Sequence, residues 1–245
     1  MPRYFLEVSY DGSHYSGFQK QKNSNTIQAE VEKAFQTLHR KPVFLTGSSR
    51  TDTGVHALQN YFHFDFKEDI HPQFLYKANA ILPDDIVLRN LILMPDQAHA
   101  RFDAVSREYE YRIYTRKNPF LKNHALYYPY KVDLEMLQQA AILIKDQTSF
   151  FAFSKTNTQV SNFNCNIINC NWSQLEGVLM FHIEGNRFLR GMVRLLTAST
   201  LQVGRGRVSL SQFENYFKES CKTKYSVPPH GLFLKAVKFP STFIP

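Results

Sequence analysis

Two hydropathy periods take turns along this chain, and that alternation limits the folds open to it. Period two, the mark of a half-buried strand, runs through Tyr4–Ser9, where Tyr4, Leu6 and Val8 face away from Phe5, Glu7 and Ser9. It returns at Tyr61–Phe66, with Phe62, Phe64 and Phe66 on one face, and at Glu108–Thr115, with Tyr109, Tyr111 and Ile113 on one face. Between the first two lies a helix pattern. Asn25 is the expected N-cap, with Gln28 three residues on at capping-box spacing; Ile27, Val31, Phe35 and Leu38 share a face, and Pro42 is the stop. Further helices are predicted over Pro72–Ile81, around Leu134–Ile144, over Arg187–Gln202, and from a Ser209 cap through Phe217. Val43–Thr46, Ile86–Met94 (as a buried strand), Ile167–Trp172, Val178–Glu184 and Leu232–Phe239 complete the strands. Strands and helices mixed in this order predict the α+β class, open sheets backed by helices, with two similar halves meeting near residue 105. Gln147–Asn164, rich in Ser, Thr and Asn, is the longest irregular stretch and a candidate lid.

Composition narrows the class of function. At 245 residues with 43% hydrophobic and 20% charged residues, the chain can bury a substantial core and is not a disordered or collagen-like sequence. Its 29 basic and 21 acidic residues leave a net charge of +8, which suits a polyanionic partner. No apolar run is long enough to span a membrane, and the opening MPRYFLEVSYDG lacks the layout of a signal peptide. Three cysteines, Cys165, Cys170 and Cys221, cannot all pair and fit no strong zinc spacing. A reduced, cytoplasmic protein with no disulfide framework and no structural metal is expected.

The densest chemical signal is Gly47–Ala57, GSSRTDTGVHA. It sets the carboxylate of Asp52 two residues from the guanidinium of Arg50, between glycines that permit tight turns and close approach of a ligand. A neighbouring cation favours the ionised carboxylate, which can then serve as nucleophile, general base or electrostatic partner. The plain alternative is an Asx-turn, since Asp and Gly are ordinary turn residues. Asp52-Thr53-Gly54 also spells the aspartic-protease tripeptide, but that chemistry needs two carboxylates sharing a proton, and no second copy exists here.

A second signal is Arg187–Arg207, which holds Arg187, Arg190, Arg194, Arg205 and Arg207 and no acid. On the expected helix Arg187, Arg190 and Arg194 share a narrow sector, a stripe suited to phosphates or to plain solvation, and Gly204–Arg207 extends it as a flexible tip. Tyr109 lies on an uncharged strand face; a buried tyrosine with a satisfied hydroxyl is the ordinary reading. Phe62, Phe64 and Phe66 read as sheet packing. His56, His63 and Asp65 have no diagnostic metal spacing, His230 sits in a Pro-Pro-His-Gly turn, and neither a P-loop nor a dinucleotide fingerprint is present. No cofactor is implied.

Taken in order, Tyr10–Gln21 (YDGSHYSGFQKQ), Arg50–Ala57 (RTDTGVHA), Asn79–Ile86 (NAILPDDI), His99–Ala104 (HARFDA), Arg107–Tyr114 (REYEYRIY), Arg190–Arg194 (RGMVR) and Pro228–Leu234 (PPHGLFL) resemble the motifs of the tRNA pseudouridine synthase A (TruA) family across nearly the whole chain. The resemblance implies an isomerase that converts uridine to pseudouridine in the tRNA anticodon stem-loop at positions 38 to 40. It implies two ferredoxin-like halves, 1–105 with the Asp loop and 106–245 with the Tyr strand and Arg helix, forming an extended mixed sheet. Asp52 would be the catalytic carboxylate, attacking uracil C6 or ribose C1′. Tyr109 would stack on the target base, Arg194 would pair with Asp52, Arg50 would act in base entry, and Leu232 would line the site. Arg187, Arg190, Arg205 and Arg207 would contact RNA. The family implies a homodimer acting on tRNA without cofactor or metal; a non-catalytic RNA-binding protein of the same fold is the alternative. Two positions depart from the pattern: Cys165 stands where relatives commonly carry a basic residue, and Arg190 where they carry a histidine.

Overall fold

The computed structural model describes residues 1–156, 160–218 and 222–243. Cys221 and the 157–159 part of the Gln147–Asn164 stretch lie outside them. In chain order the elements are β1 (Arg3–Tyr10), α1 (Ile27–His39), β2 (Thr46–Gly47), β3 (His56–Asp65), α2 (Phe74–Asn79), β4 (Ile86–Met94), β5 (Ser106–Tyr114), β6 (Leu126–Tyr127), α3 (Leu134–Lys145), β7 (Ile167–Leu175), β8 (Val178–Gly185), α4 (Met192–Gly204), α5 (Leu210–Lys218) and β9 (Leu232–Lys238). The class is α+β. The chain forms two compact units: Met1–Val105 with the chain from Phe233 on, and Ser106–Leu232. Among the described residues no helix is long and apolar enough to cross a membrane.

In the first unit the strands run β4-β1-β3-β9, with β2 also on β3. β1 is antiparallel to β3 and β4, placing Phe5 opposite His63 and Ile92, while β9 joins β3 in parallel through His56↔Phe233 and Ala57↔Leu234. Phe62 and Phe64 are buried as the alternation requires; Phe18 stacks on Phe62 with ring centroids 4.6 Å apart, and Phe35 of α1 meets Phe64 edge-on at 5.0 Å. The N-cap of α1 is Thr26, not Asn25. The Thr26 hydroxyl accepts from the Ala29 N–H at 3.3 Å, while Asn25 is drawn into the preceding loop, its carbonyl accepting from Ser16 N–H and its amide reaching His14 O. Gln28 closes no capping box; its side chain accepts from Lys20 N–H and donates to Glu32 and Leu45 O. The helix ends at a left-handed Arg40, ahead of Pro42. Of the expected Val43–Thr46 strand only Thr46 pairs, together with Gly47 just beyond it. α2 is shorter than its pattern, because His71 caps a turn at its start and the Asn79 amide leaves the helix axis to clasp both backbone groups of Leu88 at 2.8 Å. β4 is a half-exposed outer strand of this unit, not a buried one.

In the second unit the order is β5-β8-β7, all antiparallel, with β6 parallel to β5. α3 packs on β7 and α4 on α3, so closely that a Cβ on Gly204 would stand 2.7 Å from the Leu137 side chain. α5 is capped by Ser209, whose hydroxyl accepts from Gln212 N–H at 3.2 Å. The described part of Gln147–Asn164 is anchored rather than open: Ser149 bridges Asn164, Phe151–Phe153 form a 3-10 turn, and Phe150 and Phe153 are fully buried.

The expected helix over Arg187–Gln202 begins five residues late, at Met192. Asn186 is tied to Asn166 by two hydrogen bonds of 3.0 and 2.8 Å, keeping the chain extended after β8, and Gly191 takes a left-handed φ of 75° that no continuing helix accepts. Arg187 and Arg190 therefore lie on irregular backbone, and the helical stripe of three arginines does not exist. Beyond Gly191, α4 is buried nearly all round, and its Thr197 and Thr200 return their hydroxyls to backbone carbonyls.

Candidate active site

The Asp52 loop takes its shape from residues distant in sequence. At the end of β1, the Tyr10 hydroxyl lies 2.8 Å from Thr51 Oγ1. In β3, Asn60 is wholly buried and grips Ser49 from both sides, accepting from its N–H at 3.3 Å and donating to its carbonyl at 2.8 Å, with Tyr10 Oη 3.4 Å from the same amide nitrogen. Ser48 N–H donates to Tyr61 O and Phe18 N–H to Thr51 O. Gly12 passes so near the far end of the loop that a Cβ would fall 2.0 Å from Val55 O. Its N–H donates to His56 Nδ1 at 3.2 Å, and Asp11 Oδ1 stands 3.0 Å from that nitrogen. His56 itself is buried and stacked on Phe233 at 4.6 Å.

Within this clamp, Asp52 begins a turn closed by its main-chain oxygen, which accepts from Val55 N–H at 3.1 Å; Gly54 supplies the positive φ of 74° at the third position. Asp52 is half-buried and Arg50 exposed on the same loop, so the backbone is fixed while the carboxylate-bearing residue reaches solvent. Such an arrangement can present a nucleophile or base without the entropy of a mobile loop.

In the second unit Tyr109 is buried on β5, meeting Phe188 edge-on at 5.1 Å. Arg194 opens α4, half-buried, and its Nε donates to Val227 O at 2.8 Å. The chain after Val227 is pinned again one residue on, where the Tyr111 hydroxyl donates to Pro228 O at 2.8 Å. Burial raises the Tyr111 pKa, keeping that hydroxyl a donor. The turn runs into Leu232, which is buried. Thus β5, the first turn of α4 and the 227–232 segment bring Tyr109, Arg194 and Leu232 onto mutually braced elements. Arg205 is no flexible tip: it caps α4 and its guanidinium lies 3.8 Å from the Tyr130 ring centroid; Arg207 beyond it is exposed.

The weaker sequence candidates resolve into structure. Asp65 makes a two-pronged pair with Arg3 (2.6 and 2.9 Å), and that hydrogen-bonded guanidinium holds its carboxyl below the usual range. His63 is buried, its Nδ1 accepting from Ala100 N–H at 3.3 Å; burial first, then the nearby His99 and Arg3, push its pKa down to about 4. Cys165 and Cys170 are buried free thiols; burial raises Cys165 to about 11 against the opposing charge of Arg187.

The family model described as tRNA pseudouridine synthase matches residues 7–103 and 147–240. A protein of Parabacteroides distasonis named tRNA pseudouridine synthase A is 41% identical over 251 residues, spanning 100% of this chain and 99% of that one. The chain belongs to the tRNA pseudouridine synthase family. Proteins of the same name from Porphyromonas gingivalis (37% over 248 residues, 98% of each chain) and an Exiguobacterium species (36% over 242 residues, 98% of each) agree with it. Membership makes the chain an isomerase that converts uridine to pseudouridine.

Sequence reasoning missed Tyr10, Gly12 and Asn60 as supports of the Asp52 loop. Tyr10 and Gly12 fall in the family's opening motif, which was the available signal; Asn60 lies in none, and only strand pairing places it under Ser49.

Proposed function

We propose that this chain isomerises uridine to pseudouridine in the anticodon stem-loop of tRNA, at positions 38 to 40, with Asp52 as nucleophile. The observation that carries the reading is a half-exposed aspartate on a loop whose backbone is clamped at Ser49, Thr51 and Val55. Asp52 attacks uracil C6 or ribose C1′, the N1–C1′ bond breaks, the base turns, a C5–C1′ bond forms, and the covalent bond to Asp52 breaks to free the carboxylate. The C5 proton is lost to solvent and N1 gains one, so no atom or electron is left over. The base must leave its stack at a cost of a few kcal/mol, which aromatic and phosphate contacts offset. In this reading Tyr109 stacks on the extruded base, Arg194 pairs with Asp52, Arg50 guides base entry and Leu232 closes the apolar wall. Arg187, Arg190, Arg205 and Arg207 contact phosphates, and a net charge of +8 supports a polyanionic substrate. By the same family likeness the working form is a homodimer in the cytoplasm, needing neither metal nor cofactor.

The test is tritium release from tRNA carrying C5-tritiated uridine. Asp52→Asn should lower release by about 10³-fold or more, the scale for loss of a reacting nucleophile, with tRNA affinity little changed. Substantial release by the variant refutes Asp52 as nucleophile. Tight tRNA binding by the unmodified chain without any pseudouridine would establish the non-catalytic alternative.

A further inference from the structure

Between Glu110 and Asp133 the chain carries no acid, but it has five cations, Arg112, Arg116, Lys117, Lys122 and Lys131, interleaved with six aromatic rings. Arg112 is spent on Glu110 at 2.6 Å. The other four are exposed, and among the described residues none of the four is ion-paired. In their midst Phe120 is 89% exposed on a 3-10 turn fixed by Pro119 and by the Asn118 side chain, which accepts from Phe120 N–H at 3.0 Å. An aromatic ring this exposed, on a turn whose backbone is fixed and whose chain neighbours include cations, packs little against the chain.

Beside it opens a cleft of about 560 Å³, within the range of small-molecule sites, lined by Tyr114, Arg116, Lys117, Asn118, Gln174 and Glu176 among others. Amides at Asn118 and Gln174 can each donate to and accept from a base edge, and the two cations outweigh the one carboxylate. Tyr114, buried behind the cleft, meets the Tyr127 ring tilted at 5.3 Å, and its carbonyl accepts from Tyr128 N–H at 2.9 Å. Arg205 then lies over Tyr130 and, at 5.8 Å, Tyr128. Cations for phosphate, an exposed ring on a fixed turn for stacking and amides for a base edge are the parts of a site for unpaired RNA.

We propose that the Thr115–Lys122 turn and its cleft form a second RNA-binding site, taking an unpaired nucleotide of the tRNA substrate with its base on Phe120 and its phosphates on Arg116 and Lys117. The proposal rests on tRNA being the substrate and is separable from the identity of the nucleophile.

The experiment uses the full chain and full-length tRNA, measuring tRNA affinity against salt together with KM and kcat for pseudouridine formation. Phe120→Ala should raise KM about 5-fold or more with kcat unchanged, and Phe120→Trp should restore it. Arg116→Ala with Lys117→Ala should reduce the salt slope by about two. A KM and salt slope unchanged in all three variants overturn the second site while leaving the proposed reaction standing. If the unmodified chain makes no pseudouridine, the proposed function falls, and the same variants are then judged on affinity alone: weaker, Trp-rescued binding supports the site, and unaltered binding overturns it.

Discussion

The Gly47–Ala57 loop and the Arg187–Gly191 run that leads into α4 both carry charge on irregular backbone, yet they are fixed by different means. The first is held from outside, by groups remote in sequence: Asn60 on Ser49, Tyr10 on Thr51, Gly12 against Val55. The second is anchored at its start by the Asn186–Asn166 pairing, but its turn into α4 is set by its own left-handed glycine and by the burial of that helix. An externally clamped loop transmits damage from its supports to its chemistry. A segment shaped by its own backbone should lose stability when altered but pass little on.

Gly12→Ala should break the clamp most severely. The new Cβ would sit 2.0 Å from Val55 O and 2.7 Å from Val55 C, and backbone cannot swing aside as a side chain can. The expected cost is about 3 kcal/mol in urea unfolding, with turnover falling well beyond what the unfolded fraction explains. Unchanged turnover in the folded variant would show that the Asp52 loop does not depend on this support.

Asn60→Ala comes next. It strips both backbone groups of Ser49 of their partner inside the protein, costing about 2 to 3 kcal/mol. Pseudouridine formation should lose kcat while KM for tRNA holds, because Asn60 is fully buried and can act only through the loop. A rise in KM alone would assign Asn60 to substrate binding and contradict the clamp.

The same contrast explains what could be read in advance. Period two exposed β1, β3 and β5 because side-chain character alternates along each, although β1 is buried on both faces from Phe5 to Tyr10; Ile86–Met94 came out in the right place, yet its outer-strand exposure depends on which strands pair, which local pattern does not contain. Asp52 and Arg50 were legible as a charged pair between glycines, whereas Asn60 was not, since its value comes from lying under Ser49 across a strand pairing. The Arg187–Gln202 helix was misjudged because arginine and leucine spacing fits a helix well, while the decisive facts were the Asn186–Asn166 pairing and the sign of φ at one glycine. Thr26 replaced Asn25 as the cap because a loop contact, invisible in spacing, claimed the asparagine.

Gly191→Ala carries the smallest expected effect and tests the other side of the comparison. At φ 75° an alanine pays the left-handed penalty of about 1 to 2 kcal/mol. The three atoms nearest its Cβ would be Lys155 side-chain carbons, at 3.0 to 3.4 Å, and those methylenes can give way. Urea unfolding should therefore show a loss near that backbone penalty, and release of tritium per folded molecule should stay within a factor of a few. Lys155 N–H donates to Arg190 O at 3.1 Å, so a larger loss would mean that the residue-155 backbone braces Arg190 as Asn60 braces Ser49. A loss above about 3 kcal/mol, the scale of an overpacked site, together with a collapse in turnover would place both charged segments under external clamps and remove the distinction between them.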